Sequence, residues 1–189
     1  MDLFVESGSL LAAAPDMLDP NFMHSVVLIV QHTHEGAYGF VINRPSPITV
    51  NLLFSDHPLL SKLRFAVHSG GPIGLDTFQF LHCVPEWIPG GSEVHPGLFI
   101  GGDLDALAGG IAADPEQASR QVRLLLGYSG WGAGQLEAEL ERGSWVPAPL
   151  AQIGWVFEGD PQGVWRRVIR SLGRDAQGLE DMPPDPSWN

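Results

Sequence analysis

Five short apolar runs, punctuated by glycine, proline and asparagine, recur through the first part of the chain: Leu10–Ala13, Val26–Gln31, Ala37–Asn43, Phe65–Ser69 and Phe78–His82. Runs this short, rich in β-branched and aromatic residues, read as strands, most of them buried, so the chain must be organised around a sheet. Thr33-His34-Glu35-Gly36 is a hairpin-length connector whose glycine can take positive φ, which predicts that the second and third strands pair antiparallel. The stretch Cys83–Gly97 holds three prolines and three glycines and reads as a long irregular loop. A strand over Leu98–Gly101 follows it.

Helical periodicity enters later. Asp103 stands as an N-cap before Leu104, Leu107, Ala108 and Ile111, an i, i+3, i+4, i+7 stripe. Val122–Leu126 reads as a strand, Gly127–Gly134 as a glycine-rich turn, and Gln135–Arg142 as a helix stopped by Gly143. In the last helix Asp160 caps and Pro161 takes the first position. Val164, Trp165, Val168, Ile169 and Leu172 face the core before Gly173 ends it. Strands first and helices later, without strict βαβ alternation, predict an α+β fold. A length of 189 residues suits one domain. The expected organisation is a domain over residues 1–173 with an extended polar tail over 174–189, and no internal repeat is visible.

Charge excludes some partners. The formal net charge is −12, and Lys62 is the only lysine, so a phosphate backbone is repelled and direct nucleic-acid binding is disfavoured. The single cysteine, Cys83, precludes an intramolecular disulfide and multi-cysteine zinc sites. The N-terminus lacks the basic and apolar regions of a signal peptide. The densest apolar run, Val26–Val30, is far short of the roughly 20 residues a bilayer needs. A soluble cytoplasmic protein with no membrane partner is expected.

No motif carries decisive chemistry. The segment Gly127–Gln135 resembles a phosphate cradle in outline. It lacks the Gly-Lys-Ser/Thr of a P-loop, and Gln135 stands where a dinucleotide fingerprint needs its third glycine. His32 and His34, two apart, share a strand face and with a carboxylate would make a facial metal triad, but surface histidines at a hairpin tip are the simpler reading. His82 and Cys83 are adjacent and so point to opposite strand faces, which argues against a Cys–His pair. Arg166, Arg167, Arg170 and Arg174 cluster on the last helix and just beyond it, as an anion patch or, more simply, as a solvated face.

Several ordered segments together resemble the AlgH/YqgE family of bacterial proteins. They include Leu10-Leu11-Ala12, Asp19-Pro20-Asn21-Phe22, Glu35-Gly36-Ala37-Tyr38-Gly39-Phe40-Val41-Ile42-Asn43-Arg44-Pro45 and Gly70-Gly71-Pro72. Most specific is Gly127-Tyr128-Ser129-Gly130-Trp131-Gly132-Ala133-Gly134-Gln135-Leu136-Glu137, and Met182–Ser187 matches a frequent family ending. The resemblance implies a single α+β domain with a mixed, partly barrel-like sheet and flanking helices. It also implies no established enzymatic activity and, in one branch, a proposed role as transcriptional regulator. The absence of a basic recognition helix and the acidic charge weigh against direct operator binding.

The leading expectation is a non-enzymatic binding or regulatory module, needing no cofactor, that meets a protein or small-molecule partner through glycine-bearing loops. Its candidate binding residues are Asn43, Arg44, Gly70, Gly71, Pro72, Gly130, Trp131, Gly132 and Gln135. Arg44 would donate to an anion or carbonyl, Asn43 and Gln135 would orient a ligand, and Trp131 would offer an apolar platform. The alternative in which these residues only fix turns stands beside it. A metal-assisted hydrolase using His32 and His34, and a DNA-binding regulator, are the remaining readings.

Overall fold

The computed structural model describes residues 5–172. Among them, ten strands form one mixed sheet: β1 (Leu10–Ala13), β2 (Val26–Thr33), β3 (Gly36–Val41), β4 (Pro45–Thr49), β5 (Ala66–Ser69), β6 (Ile73–His82), β7 (Ser92–His95), β8 (Leu98–Ile100), β9 (Val122–Gly132) and β10 (Trp145–Ala148). The helices are α1 (Val50–Leu53), α2 (Leu104–Ala113), α3 (Pro115–Ser119), α4 (Gln135–Glu141) and α5 (Pro161–Ser171), with 3-10 turns at Leu60–Lys62 and Ile153–Phe157. The α+β expectation is met. The expected end of the last helix at Gly173, the tail over 174–189 and the Met182–Ser187 segment lie outside the described residues.

The main strand order is β10-β1-β2-β3-β9-β6-β8-β7. The predicted hairpin joins β2 to β3, antiparallel, with Thr33 opposite Gly36. β5 runs parallel to β9, and β4 pairs with β5 at the rim. Side-chain alternation places Leu10, Leu28, Phe40, Leu81 and Leu125 on one face, where they pack with Val164, Trp165, Val168 and Ile169 of α5. The opposite face carries two further cores. One packs Leu124 and Phe80 on Leu107 and Ile111 of α2, and the other packs Val27, Ile29 and Trp131 on Leu136 and Leu140 of α4. Both faces are therefore covered, which is why the strands read as continuous apolar runs rather than as alternating ones. Among the described residues no strand ladder closes the sheet. The Ser7 hydroxyl lies 2.7 Å from the Val30 carbonyl and 3.2 Å from that of Val94, a side-chain link between β2 and the β7 edge.

Two sequence expectations are corrected. The long loop over Cys83–Gly97 contains β7, because Ser92-Glu93-Val94-His95 has no breaker and takes an edge position where unpaired backbone groups are tolerated. The Gly127–Gly134 turn is instead largely strand, since β9 continues to Gly132 and only Ala133 and Gly134 turn into α4. The glycines serve a crossing of backbones. One edge of β9 is paired by β5 at Leu124–Leu126 and by β3 at Ser129–Gly132. Where the partner changes, Gly70 and Gly71 pass Gly127 and Tyr128. A Cβ on Gly70 would stand 2.3 Å from the Gly127 carbonyl oxygen, and one on Gly71, at φ +148°, 2.2 Å from that of Tyr128. The Gly70 amide donates to Leu126 and its carbonyl accepts from Val41, both at 2.8 Å. β4 and β10 escape a simple reading because Pro45, Pro47 and Pro147 interrupt them, which is compatible with strands only at a sheet rim.

Candidate functional site

The glycine-bearing residues singled out by sequence fall into two groups. Arg44, Gly71 and Pro72 line a pocket of about 220 Å³ with Asn21 and Leu75. Gly130, Trp131, Gly132 and Gln135 lie at the far end of β9, and Gly70 is buried in the crossing. The polar groups of the set are engaged internally. Asn43 accepts from the Val26 amide at 2.7 Å and donates to the His24 and Pro161 carbonyls, tying β2 to the start of α5. Arg44 donates to the Pro20 and Met23 carbonyls and so pins the loop before β2. From that loop Phe22 stacks on Trp131 and meets Trp145 edge-on. The indoles of Trp131 and Trp145 and the amide of Gln135 all donate to the Glu139 carboxylate at 2.8 to 2.9 Å. Burial pushes that carboxyl up, but the three donors outweigh it and hold it below its ordinary value.

The histidine pair does not converge. His34 is exposed in the hairpin turn, whereas both ring nitrogens of His32 are engaged, Nδ1 with the Val5 carbonyl and Nε2 with Glu137, each at 2.8 Å. Among the described residues no three His, Cys, Asp or Glu side chains are grouped to hold a metal ion. His82 contacts the Gly101 carbonyl, and Cys83 turns to that of Gln121, its thiol pushed up by burial.

A larger pocket, of about 860 Å³, forms where three distant segments meet: the approach to and first part of β5 (Arg64–His68), α3 with the start of β9 (Pro115–Arg123), and the turn before α5 (Gly154–Gly159). Phe65, Val122 and Phe157 supply apolar wall, and Arg64, His68, Arg120 and Arg123 supply cationic or donor groups. Three of the nine arginines of an acidic chain thus share one cavity.

Arg123 is its unusual member. Alternation along β9 turns Val122 and Leu124 toward α2 and α3, leaving Arg123 and Leu125 on the α5 side. There the residue is only 5% exposed. Nε donates to Val156 O at 3.0 Å, Nη2 to Glu158 O at 2.7 Å, and Nη1 to His68 Nε2. No carboxylate oxygen lies within 4.0 Å of it among the described residues, and the Glu158 carboxylate pairs with Arg167 instead. Burial lowers its pKa to about 10, which leaves it charged at neutral pH.

A guanidinium only donates, so His68 Nε2 must accept and its ring proton resides on Nδ1. Nδ1 is itself buried with no hydrogen-bond partner. Burial, and then the adjacent Arg123, push the His68 pKa down to about 3, so the ring is neutral across the physiological range. The cavity therefore holds a buried cation beside a neutral imidazole, and the two carboxylates that also line it, Glu116 and Glu158, are paired with Arg120 and Arg167 rather than with Arg123. Sequence reasoning missed it, although one signal was present: Arg123 is the lone charge within the apolar run Val122–Leu126, and a charge in a strand buried on both faces needs a partner.

The fold and this pocket define an α+β protein with a two-sided mixed sheet and a buried arginine at the floor of a cavity. The chain belongs to the AlgH-like family, whose model matches residues 10–177. A UPF0301 protein of Chlorobaculum tepidum is 40% identical over 98% of this chain and 96% of its own length. One of Bacteroides thetaiotaomicron is 32% identical over 96% and 90%. The solution structure of AlgH from Pseudomonas aeruginosa superposes with a TM-score of 0.69 at 31% identity, covering 89% of each chain. An X-ray structure of a Corynebacterium diphtheriae protein has the same TM-score at 23% identity, covering 96% of this chain and 93% of that one, and supports the fold alone. No helix among the described residues is long and apolar enough to cross a membrane.

Proposed function

We propose that the protein is a binding module whose cavity between β5, α3 and the turn before α5 takes a small acidic molecule. The observation that carries this reading is Arg123, a buried charge whose neighbours are carbonyls and a neutral ring. A desolvated cation costs several kcal/mol unless an opposite charge compensates it. The chain has 22 carboxylates, and none stands within ion-pair distance of this group among the described residues. A ligand carboxylate would supply the missing charge, and the aromatic wall would bury the remainder of the ligand.

Calorimetric titration with a panel of small carboxylic acids tests the reading. Binding that disappears in Arg123→Met, with the folded state of the variant verified by circular dichroism, supports it. Absence of binding of any acid to the unaltered protein refutes it.

A further inference from the structure

The donors of the cavity are arranged at two depths, and this bears on the kind of acid it accepts. At the floor, Arg123 has five N–H groups, of which three are committed to Val156, Glu158 and His68. The two that remain belong to separate terminal nitrogens, a number that the two oxygens of a single carboxylate satisfy. At the mouth, Arg120 is three-quarters exposed and meets Glu116 at 2.8 Å in an i, i+4 pair whose carboxylate is equally exposed. Such an exposed pair contributes little to stability, so a second acid can take over Arg120 at little cost. Arg64 stands exposed at the opposite wall. Phe65, Val122 and Phe157 give the lining apolar surface beside these donors, and Glu116 and Glu158 also line it.

Resting on the acidic-ligand reading above, we infer that the cavity is built for a dicarboxylate. One carboxylate is seated on Arg123, an apolar spacer lies along Phe65 and Phe157, and the second carboxylate is held at the mouth by Arg120 and Arg64. The volume of about 860 Å³ far exceeds the needs of a single inorganic ion and falls in the range of small-molecule sites. Glu116 acts as the competitor that occupies Arg120 when the site is empty.

The test is calorimetric titration of the full chain with α,ω-dicarboxylates of four to eight carbons, each against the monocarboxylate of the same length. At the best length the dicarboxylate is expected to bind at least tenfold tighter. In the Arg64→Gln/Arg120→Gln double variant, the dicarboxylate falls to the affinity of the monocarboxylate, whose own binding is unchanged. Glu116→Gln, which frees Arg120, tightens the dicarboxylate about twofold and leaves the monocarboxylate alone. Equal affinities of mono- and dicarboxylates for the unaltered protein overturn the two-headed ligand while leaving the acidic pocket standing. No binding of either class overturns both. A double variant that retains the full preference for dicarboxylates also overturns the inference, because the mouth arginines would then hold nothing.

Discussion

Arg123 and Gly127 stand four residues apart on β9, yet they make opposite demands on their surroundings. Gly127 belongs to a crossing with Gly70 and Gly71 in which backbone meets backbone, Gly70 is hydrogen-bonded through both its amide and its carbonyl, and a Cβ on any of the three would collide with a carbonyl. Arg123 belongs to a cavity with volume to spare, a buried charge with no carboxylate in direct contact among the described residues and a ring nitrogen without a partner. The first region is complete as folded. The second, on the function proposed above, is completed by an acidic ligand, and that difference would separate a structural motif from a site. Glycine-rich segments attract a functional reading because they approach ligands so readily, but here the close neighbour is the protein itself.

Three measurements test whether the two regions differ in this way. The largest effect is expected from Gly71→Ala. Its Cβ would collide with the Tyr128 carbonyl, and its φ of +148° disfavours any side chain. A loss of about 3 kcal/mol or more is expected in urea unfolding. A variant as stable as the parent would show that the crossing is loose and reopen the segment as a binding surface.

An intermediate effect concerns His68 and acid. Its folded pKa of about 3 lies below the ordinary 6.5, so between those values the unfolded chain binds a proton that the folded chain refuses. The contribution of His68 is thus present above pH 6.5 and is lost as pH falls toward 3, at about 1.4 kcal/mol per pH unit. The difference in unfolding free energy between the parent and His68→Gln, followed from pH 7 to 4.5, is expected to shrink at that slope. A pH-independent difference would mean that the ring is not held neutral beside Arg123.

The smallest effect is expected from Arg123→Met on the empty protein. Three hydrogen bonds are lost, two to carbonyls and one to His68, and the desolvation cost of the charge is relieved, so stability should change by no more than about 1 kcal/mol. A severe loss would make Arg123 a keystone of the fold, like Gly71, and would remove the contrast between the two regions.

How far the molecule was legible from its residues follows the same division. The hairpin at Thr33–Gly36, the Asp103 and Asp160 caps and the apolar stripe of α5 were all readable, because each depends on residues within one or two turns of each other. The rim strands β4, β7 and β10 were not, since position at an edge is what permits their composition. Asn43 and Arg44 were marked as candidate ligand-binding groups, whereas the groups they bind in the fold, at Val26, Pro161, Pro20 and Met23, lie 17 to 118 residues away.

The sequence by itself determined the strand-rich α+β class, the helix boundaries set by capping chemistry, and a charge that opposes nucleic acid, because these rest on local periodicity and on composition. Only the tertiary structure decided that the glycines mark a crossing, and that Arg64, His68, Arg120 and Arg123 share a cavity. A residue's environment is set by what packs opposite it, and Arg123 meets Val156 and His68 across separations of 33 and 55 residues. No pattern along the chain encodes the lack of a carboxylate in direct contact with Arg123, which becomes visible only once the nearby carboxylates have been placed.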